Sequence, residues 1–238
     1  MNQKEIELLE YNYLRKIYFD LKQDLLKMID GLNSKDKIKE DWMKYFDRAD
    51  KKSQNSDFAR GAERIYYWLF SQFGKPNSSP IGADMFFETY DAFVHIDVKT
   101  AKYDNPSDYK GKIPLGINQT SYMSSKKRYE VHLPTFYNKN KAEEKICLTF
   151  IINIIYNKQD SGFKILGISL ISVPNGELYS VYKDDVIAAS KNKGEAFRYD
   201  YKKNPYFKLL KDKPYRIKVL YIDKGITNKD ILGFEFGK

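Results

Sequence analysis

Two runs of almost uninterrupted apolar residues, at 146–155 and 164–172, constrain the fold of this 238-residue chain more than any other feature. The first is ICLTFIINII and the second is KILGISLIS, and a polar stretch around 157–162 separates them. A strand with two apolar faces must be covered on both sides, which is the environment of a central strand in a sheet flanked by helices. The chain is therefore expected to be α/β, with a mixed central β-sheet of about five or more strands.

A β-hairpin is predicted upstream of these runs, with strands at 84–87 and 92–100 and a polar turn at 88–91. Side chains alternate between the two faces of a strand. One face of the second strand therefore carries Phe93, His95, Asp97 and Lys99. A carboxylate and an amine leave this face side by side, and the hairpin can bring Asp84 next to Asp97.

The side chains of Asp84, Asp97 and Lys99 have a chemical use together. Two carboxylates at ligand distance hold a hard divalent cation such as Mg²⁺, and the cation lowers the pKa of its bound water. An adjacent lysine can orient or deprotonate that water and stabilise the charge that develops on a phosphate. The three residues are therefore predicted to hydrolyse a phosphodiester. The competing interpretation is a solvated strand end or a surface ion pair.

The same stretch resembles the PD-(D/E)xK nuclease superfamily, and within it the type II restriction endonucleases of the EcoRV and HincII kind. The resemblance rests on Asp84 and on the strand Ile96-Asp97-Val98-Lys99-Thr100, and it covers roughly residues 58–101. Ala83 stands where the motif often has proline. The resemblance implies a restriction-endonuclease-like core with a catalytic hairpin, and a Mg²⁺-dependent, site-specific deoxyribonuclease.

The resemblance also implies roles for individual residues. Asp84 and Asp97 bind the metal, the main-chain carbonyl of Val98 is an additional ligand, and Lys99 orients the attacking water and the scissile phosphate. Glu63 falls on a predicted helix before the hairpin, where members of the superfamily often carry a glutamate that supports the metal site or binds a second metal. A solvated helix glutamate is an equally good interpretation of Glu63.

Three helices are predicted before the hairpin, at 4–30, 35–47 and 57–73. Apolar residues recur at helical spacing in the first, which is expected to end at Gly31. This helix is either a dimerisation arm or a cover for the core. We expect a single restriction-endonuclease-like domain over 1–238, with 1–50 as its helical N-terminal subregion.

The segment 102–128 is much longer than an ordinary connection, which indicates a functional or disordered loop. Asn and Gln side chains can read adenine edges, and Ser and Thr can bond to bases or phosphates. The residues predicted to contact DNA are Asn118, Gln119, Thr120, Ser121, Lys102 and Arg60. Asn118 and Gln119 are the leading candidates for sequence readout, and the alternative is a phosphate-contacting or mobile surface loop.

Downstream of the apolar runs, the sequence predicts a short helix at 184–190 and a basic, aromatic loop at 191–205. Closing strands are predicted at 215–222 and 231–236.

The charge balance fits a polyanionic partner, since 41 Lys and Arg against 32 Asp and Glu give a net charge of +9. A lysine-rich genome produces the same excess, so the charge is supportive only. The single cysteine, Cys147, excludes an intramolecular disulfide and is expected to be a buried small hydrophobe. His95 is expected to be a packed strand histidine. With no leader and no long apolar run, we expect a cytoplasmic bacterial or archaeal protein without a membrane partner.

The function predicted from these observations is a type II restriction endonuclease. Cutting both strands of a duplex needs two active sites, so a homodimer acting on double-stranded DNA with a short palindromic site is expected. One alternative is a structure-specific, repair or phage nuclease of the same superfamily. Another is a non-catalytic basic nucleic-acid-binding module whose Asp97 and Lys99 are structural.

Overall fold

Two consecutive helices begin the chain in the computed structural model, which describes residues 1–33, 62, 85–123, 131–138, 144–159, 162–189 and 197–237. Helix α1 spans Gln3–Gln23 and α2 spans Leu25–Asn33. The side chain of Asn2 accepts a hydrogen bond from the Glu5 amide, and the Glu5 side chain accepts one from the Asn2 amide, which closes a capping box. The helix predicted at 4–30 is therefore confirmed, although it breaks at Asp24 and continues beyond Gly31.

The helices predicted at 35–47 and 57–73 lie outside the described residues, with one exception. Ala62 is helical and fully buried.

Nine strands and two further short helices follow in the described part of the chain. The strands are β1 (Met85–Glu88), β2 (Ala92–Lys102), β3 (Ile113–Leu115), β4 (Phe136–Tyr137), β5 (Lys145–Gln159), β6 (Gly162–Val173), β7 (Ile187–Ala189), β8 (Phe197–Tyr199) and β9 (Ile217–Ile222). The helices are α3 (Tyr179–Tyr182) and α4 (Asn228–Leu232).

The large sheet has the order β1-β2-β5-β6-β9, and β4 pairs with one end of β5. Strand β2 runs parallel to β5, whereas the other neighbours in the sheet are antiparallel. A smaller antiparallel sheet has the order β3-β8-β7. The predicted mixed α/β fold is confirmed, and the predicted hairpin β1–β2 lies at one edge of the large sheet.

The two apolar runs form the centre of this sheet, as predicted. Every residue of β5 from 146 to 156 is buried, and so are the last nine residues of β6. Helix α1 packs against β6 and β9 on one side. Because both faces of these strands are removed from water, the sheet is a rigid support for the hairpin next to it.

A buried arginine joins helix α1 to the sheet. Arg216 lies just before β9, and its Nη2 is 2.7 Å from Oε2 of Glu10 and 3.5 Å from Oε1 of Glu7. Its Nη1 also donates to Oγ of Ser172 on β6 at 3.3 Å. Arg216 and Glu7 are fully buried and Glu10 nearly so. The two glutamates that look like solvated helix residues in the sequence are therefore internal acceptors.

Three predicted segments contain secondary structure that the sequence did not predict. The loop predicted at 102–128 contains β3 and two 3₁₀ turns, Pro106–Asp108 and Ile117–Gln119. The helix predicted at 184–190 is a 3₁₀ turn at Lys183–Val186 followed by β7. The loop predicted at 191–205 contains β8.

The closing strand predicted at 231–236 was wrong, because helix α4 begins earlier and occupies its first two positions. Thr227 and Asp230 form a capping box at the start of this helix. Gly233 ends it in the left-handed conformation, with φ of 79°. In the part of the chain that the structure describes, no helix is both long enough and apolar enough to cross a membrane.

Candidate active site

Strand β2 places Asp97 and Lys99 on one face, as the alternation of its sequence predicts. The Asp97 side chain is fully buried, and Nζ of Lys99 lies 2.6 Å from its Oδ2. The Lys99 side chain keeps 24% of its exposure. The pair therefore consists of an internal carboxylate and an amine that still reaches solvent, which is not the arrangement of a solvated strand end.

Gln119 is a second partner of this carboxylate. Its Nε2 donates to Oδ1 of Asp97 at 2.8 Å. Its Oε1 accepts a hydrogen bond from the main-chain amide of Gly116 at 2.7 Å. Each oxygen of Asp97 thus faces a nitrogen donor, one on Lys99 and one on Gln119. The hydrogen bond from Gln119 restricts rotation of the carboxylate, and Lys99 faces the other oxygen as an ion-pair partner.

His95 lies on the same face of β2, two residues before Asp97. It is fully buried, and neither ring nitrogen has a hydrogen-bond partner among the residues that the structure describes. Burial, and then the charge of Lys99, lowers the pKa of His95 to about 3. The imidazole is therefore neutral at physiological pH. Its cross-strand neighbour on β1 is Phe86, which matches the predicted packed histidine.

Asn153 was missed by the sequence prediction. It lies on β5 directly opposite Lys99 in the parallel register and is fully buried. Within the described part of the chain, neither polar atom of its side-chain amide has a hydrogen-bond partner. Its neighbour on β6 is Ser169, whose hydroxyl also has no hydrogen-bond partner in the described segments. An asparagine inside the run FIINII is the signal that could have drawn attention to this position.

The residues predicted to contact DNA have different environments. Lys102, at the end of β2, and Asn118 are partly exposed. Thr120 and Ser121 are buried, and their hydroxyls accept hydrogen bonds from the amides of Tyr122 and Gly176. The structure therefore does not present Thr120 and Ser121 at a DNA-facing surface, because both side chains satisfy main-chain groups inside the protein. Gln119 is turned towards Asp97.

Three predicted site residues, Asp84, Glu63 and Arg60, lie outside the described residues. Among the residues that are described, no three His, Cys, Asp or Glu side chains come together as a metal-binding group. Asp97 supplies the kind of donor that Mg²⁺ prefers, a carboxylate oxygen. In the observed hairpin Met85 pairs with Ile96, the residue immediately before Asp97. Asp84 is the residue immediately before Met85 in the chain.

Comparison with known proteins identifies the family. Residues 2–161 match the family model of the N-terminal domain of the type II restriction enzyme MwoI, and residues 165–222 match that of its central domain. No curated protein matches the chain.

Two solved structures share the fold. One is the restriction endonuclease BglI bound to its DNA recognition sequence, with a TM-score of 0.61, 18% identity, and coverage of 94% of this chain and 91% of that one. The other is the tetrameric restriction endonuclease SfiI bound to cognate DNA, with a TM-score of 0.66, 14% identity, and coverage of 95% and 88%. The two MwoI family models together span most of the present chain. The chain therefore belongs to the MwoI family of type II restriction endonucleases.

Proposed function

We propose that this restriction endonuclease hydrolyses phosphodiester bonds of double-stranded DNA at a specific site, with Mg²⁺ held by Asp84 and Asp97 and with Lys99 as the catalytic amine. The observation that carries the proposal is the contact between the buried Asp97 carboxylate and Nζ of Lys99 at 2.6 Å. Membership of a nuclease family supports hydrolysis of a phosphodiester. The buried carboxylate–amine pair on β2 supports the same reaction. Glu63 and the main-chain carbonyl of Val98 remain predicted contributors to the metal site.

Each residue has a distinct task in this proposal. When bound, Mg²⁺ supplies a water of lowered pKa and polarises the phosphoryl oxygen. Asp97 is buried, accepts a hydrogen bond from Gln119 and is paired with Lys99, so it presents an oriented carboxylate. Lys99 is partly exposed, so its amine can reach both the attacking water and the scissile phosphate. Water adds to phosphorus, one P–O bond breaks, and the leaving oxygen takes a proton.

We also infer the partners of the reaction. BglI and SfiI were both solved with their DNA targets, and SfiI is a tetramer. The net charge of +9 favours contact with the DNA backbone and makes affinity fall as salt rises. Cleavage of two strands needs two copies of the site, so we propose a homodimer on a short palindromic sequence. Lys102, Arg60 and Asn118 remain predicted DNA contacts.

Plasmid digestion tests the proposal. Wild-type protein with Mg²⁺ should give discrete fragments, and EDTA should prevent them. Asp97→Asn should reduce cleavage to background, because it removes the charge that holds the cation. Lys99→Ala should slow cleavage about 10²–10⁴-fold, the usual contribution of a positioned acid or base. The matched control is Asp104→Asn, which removes the same charge from an exposed residue just beyond β2 and should leave the fragments and their rate unchanged.

The size distribution of the products discriminates between functions. Discrete bands support site-specific cleavage, and a smear would indicate a nuclease that recognises structure instead. Full cleavage by Asp97→Asn would refute the assignment of the active site. DNA binding without any metal-dependent cleavage in the wild type would favour the non-catalytic module.

A further inference from the structure

We propose that Gln119 is a positioning residue that holds the Asp97 carboxylate in the orientation needed to bind the catalytic cation. The proposal rests on the function proposed above and adds to it a residue that does not touch the cation or the DNA. It also gives Gln119 a role different from the base readout predicted from the sequence.

The hydrogen bond between Gln119 and Asp97 has only one possible polarity. The Gly116 main-chain amide can only donate, and it donates to Oε1 of Gln119 at 2.7 Å. The other end of the same amide group must therefore be Nε2, a donor, and it lies 2.8 Å from Oδ1 of Asp97. The Gln119 amide thus has a fixed orientation before any ligand binds, as a preorganised site requires.

The segment that carries Gln119 is anchored to the protein at several points. Before it, β3 pairs with β8, and the Ile117 carbonyl accepts a hydrogen bond from the His132 amide at 2.9 Å. After it, Oγ of Ser121 accepts from the Gly176 amide at 2.9 Å, and the Tyr122 hydroxyl donates to the Lys183 carbonyl at 2.7 Å. Gln119 therefore reaches Asp97 from a supported segment and not from a free surface loop.

Gly116 provides the space that this side chain needs. A Cβ atom at Gly116 would lie 3.3 Å from both Cδ and Oε1 of Gln119, which is closer than an ordinary contact. The φ of Gly116 is −79°, a value that alanine adopts readily. The glycine therefore permits the close approach of the Gln119 amide, which a Cβ atom would push back slightly, and the conformation of the main chain does not itself call for glycine.

Titration of Mg²⁺ into DNA-free protein tests the proposal without reference to activity. Binding is followed by calorimetry and by the rise in the thermal unfolding midpoint with cation concentration. Gln119→Met keeps the length and flexibility of the side chain but removes the donor. Loss of a group that orients a metal ligand typically weakens metal affinity about 10–100-fold, and we expect the Mg²⁺ dissociation constant to rise within that range.

Two further variants make the test specific. Gly116→Ala should displace the intact Gln119 amide and weaken Mg²⁺ binding less than Gln119→Met does. Asn118→Ala is the matched control on the same segment and should leave the Mg²⁺ dissociation constant unchanged. A merely structural role for Gln119 would lower the unfolding midpoint of the cation-free protein without changing its Mg²⁺ affinity.

The outcomes distinguish a failure of the positioning role of Gln119 from a failure of the proposed function. A folded Gln119→Met variant that binds Mg²⁺ as tightly as the wild type overturns the positioning role and leaves the proposed function standing. A wild type that neither binds Mg²⁺ nor cleaves DNA overturns the proposed function, and the positioning role with it. Weaker Mg²⁺ binding in Gln119→Met and Gly116→Ala, with unchanged binding in Asn118→Ala, supports the proposal.

Discussion

Replacing Arg216 by methionine removes the cation from the buried cluster that joins helix α1 to the sheet. Nη2 of Arg216 is 2.7 Å from Oε2 of Glu10, and its Nε donates to the Tyr182 hydroxyl at 3.0 Å. The guanidinium also lies over the ring of Phe207, with 4.1 Å between its carbon and the ring centroid. Methionine retains much of this packing while leaving Glu7 and Glu10 buried without their counter-charge.

The expected loss of stability follows from that burial. Removing one partner of a buried ion pair costs about 3–5 kcal/mol in the free energy of unfolding. For a domain of this size, each kcal/mol lowers the thermal midpoint by about 2–4 °C, so the midpoint should fall by roughly 6–20 °C. The control is Lys164→Met, because Nζ of Lys164 is also 2.7 Å from its partner carboxylate, on Asp223, but 47% of its side chain is exposed. That control should cost less than about 1 kcal/mol.

The loss should also depend on pH. Burial raises the pKa of Glu10, and Arg216 opposes that rise. Without Arg216 the folded-state pKa of Glu10 moves further above its unfolded value, so the protonated form is favoured in the folded protein. The variant is then most stable below the unfolded pKa and loses stability as pH rises through the folded pKa. Arg216→Met should therefore be closer to the wild type at pH 5 than at pH 8.

Urea unfolding followed by circular dichroism at both pH values measures this effect. A variant within 1 kcal/mol of the wild type at both pH values, on the scale of an exposed pair, would refute the reasoning, because it would mean that the two glutamates do not need the arginine. If Lys164→Met lost as much unfolding free energy as Arg216→Met, side-chain exposure would not determine the cost of removing an ion pair.

Three more predictions concern other parts of the fold. Burial raises the pKa of Cys147 to about 12, so a thiol reagent at pH 8 should modify it no faster than the protein unfolds; rapid modification of the native protein would contradict its burial. Asn153→Leu removes two buried polar atoms that have no hydrogen-bond partner among the described residues and should raise the free energy of unfolding by about 1–2 kcal/mol; a lower free energy of unfolding in urea would show that the amide has a partner. Thr227→Ala removes the cap of α4 and should cost about 1 kcal/mol; an unchanged urea midpoint would show that the cap is dispensable.

The sequence predicted the parts of the fold that depend on local periodicity. The apolar runs gave β5 and β6, and the alternation along β2 placed Asp97 and Lys99 on one face. The prediction of a short element was wrong where helix-capping residues were overlooked. The capping box of Thr227 and Asp230 and the following Gly233 mark a helix, although the apolar residues after them suggested a strand.

Long-range contacts could not be predicted from the sequence in the same way. Glu7 and Glu10 share the guanidinium of Arg216, which lies more than two hundred residues later in the chain. Gln119 lies in a polar segment that is typical of a DNA-contacting loop, and only the tertiary structure turns its amide towards Asp97. Periodicity shows which residues share a face, but it does not show what a loop side chain meets after the chain folds back.

The pairing of β3 with β8 has a consequence for the order in which the protein matures on the ribosome. Residue 97 and residue 99 are synthesised early, but β3, which leads into the segment carrying Gln119, obtains its partner strand only when Phe197–Tyr199 has emerged. Chains grow at about 5–20 residues per second, so roughly five to twenty seconds separate these events. A nascent chain therefore carries Asp97 and Lys99 for several seconds before the segment that contributes Gln119 can be supported.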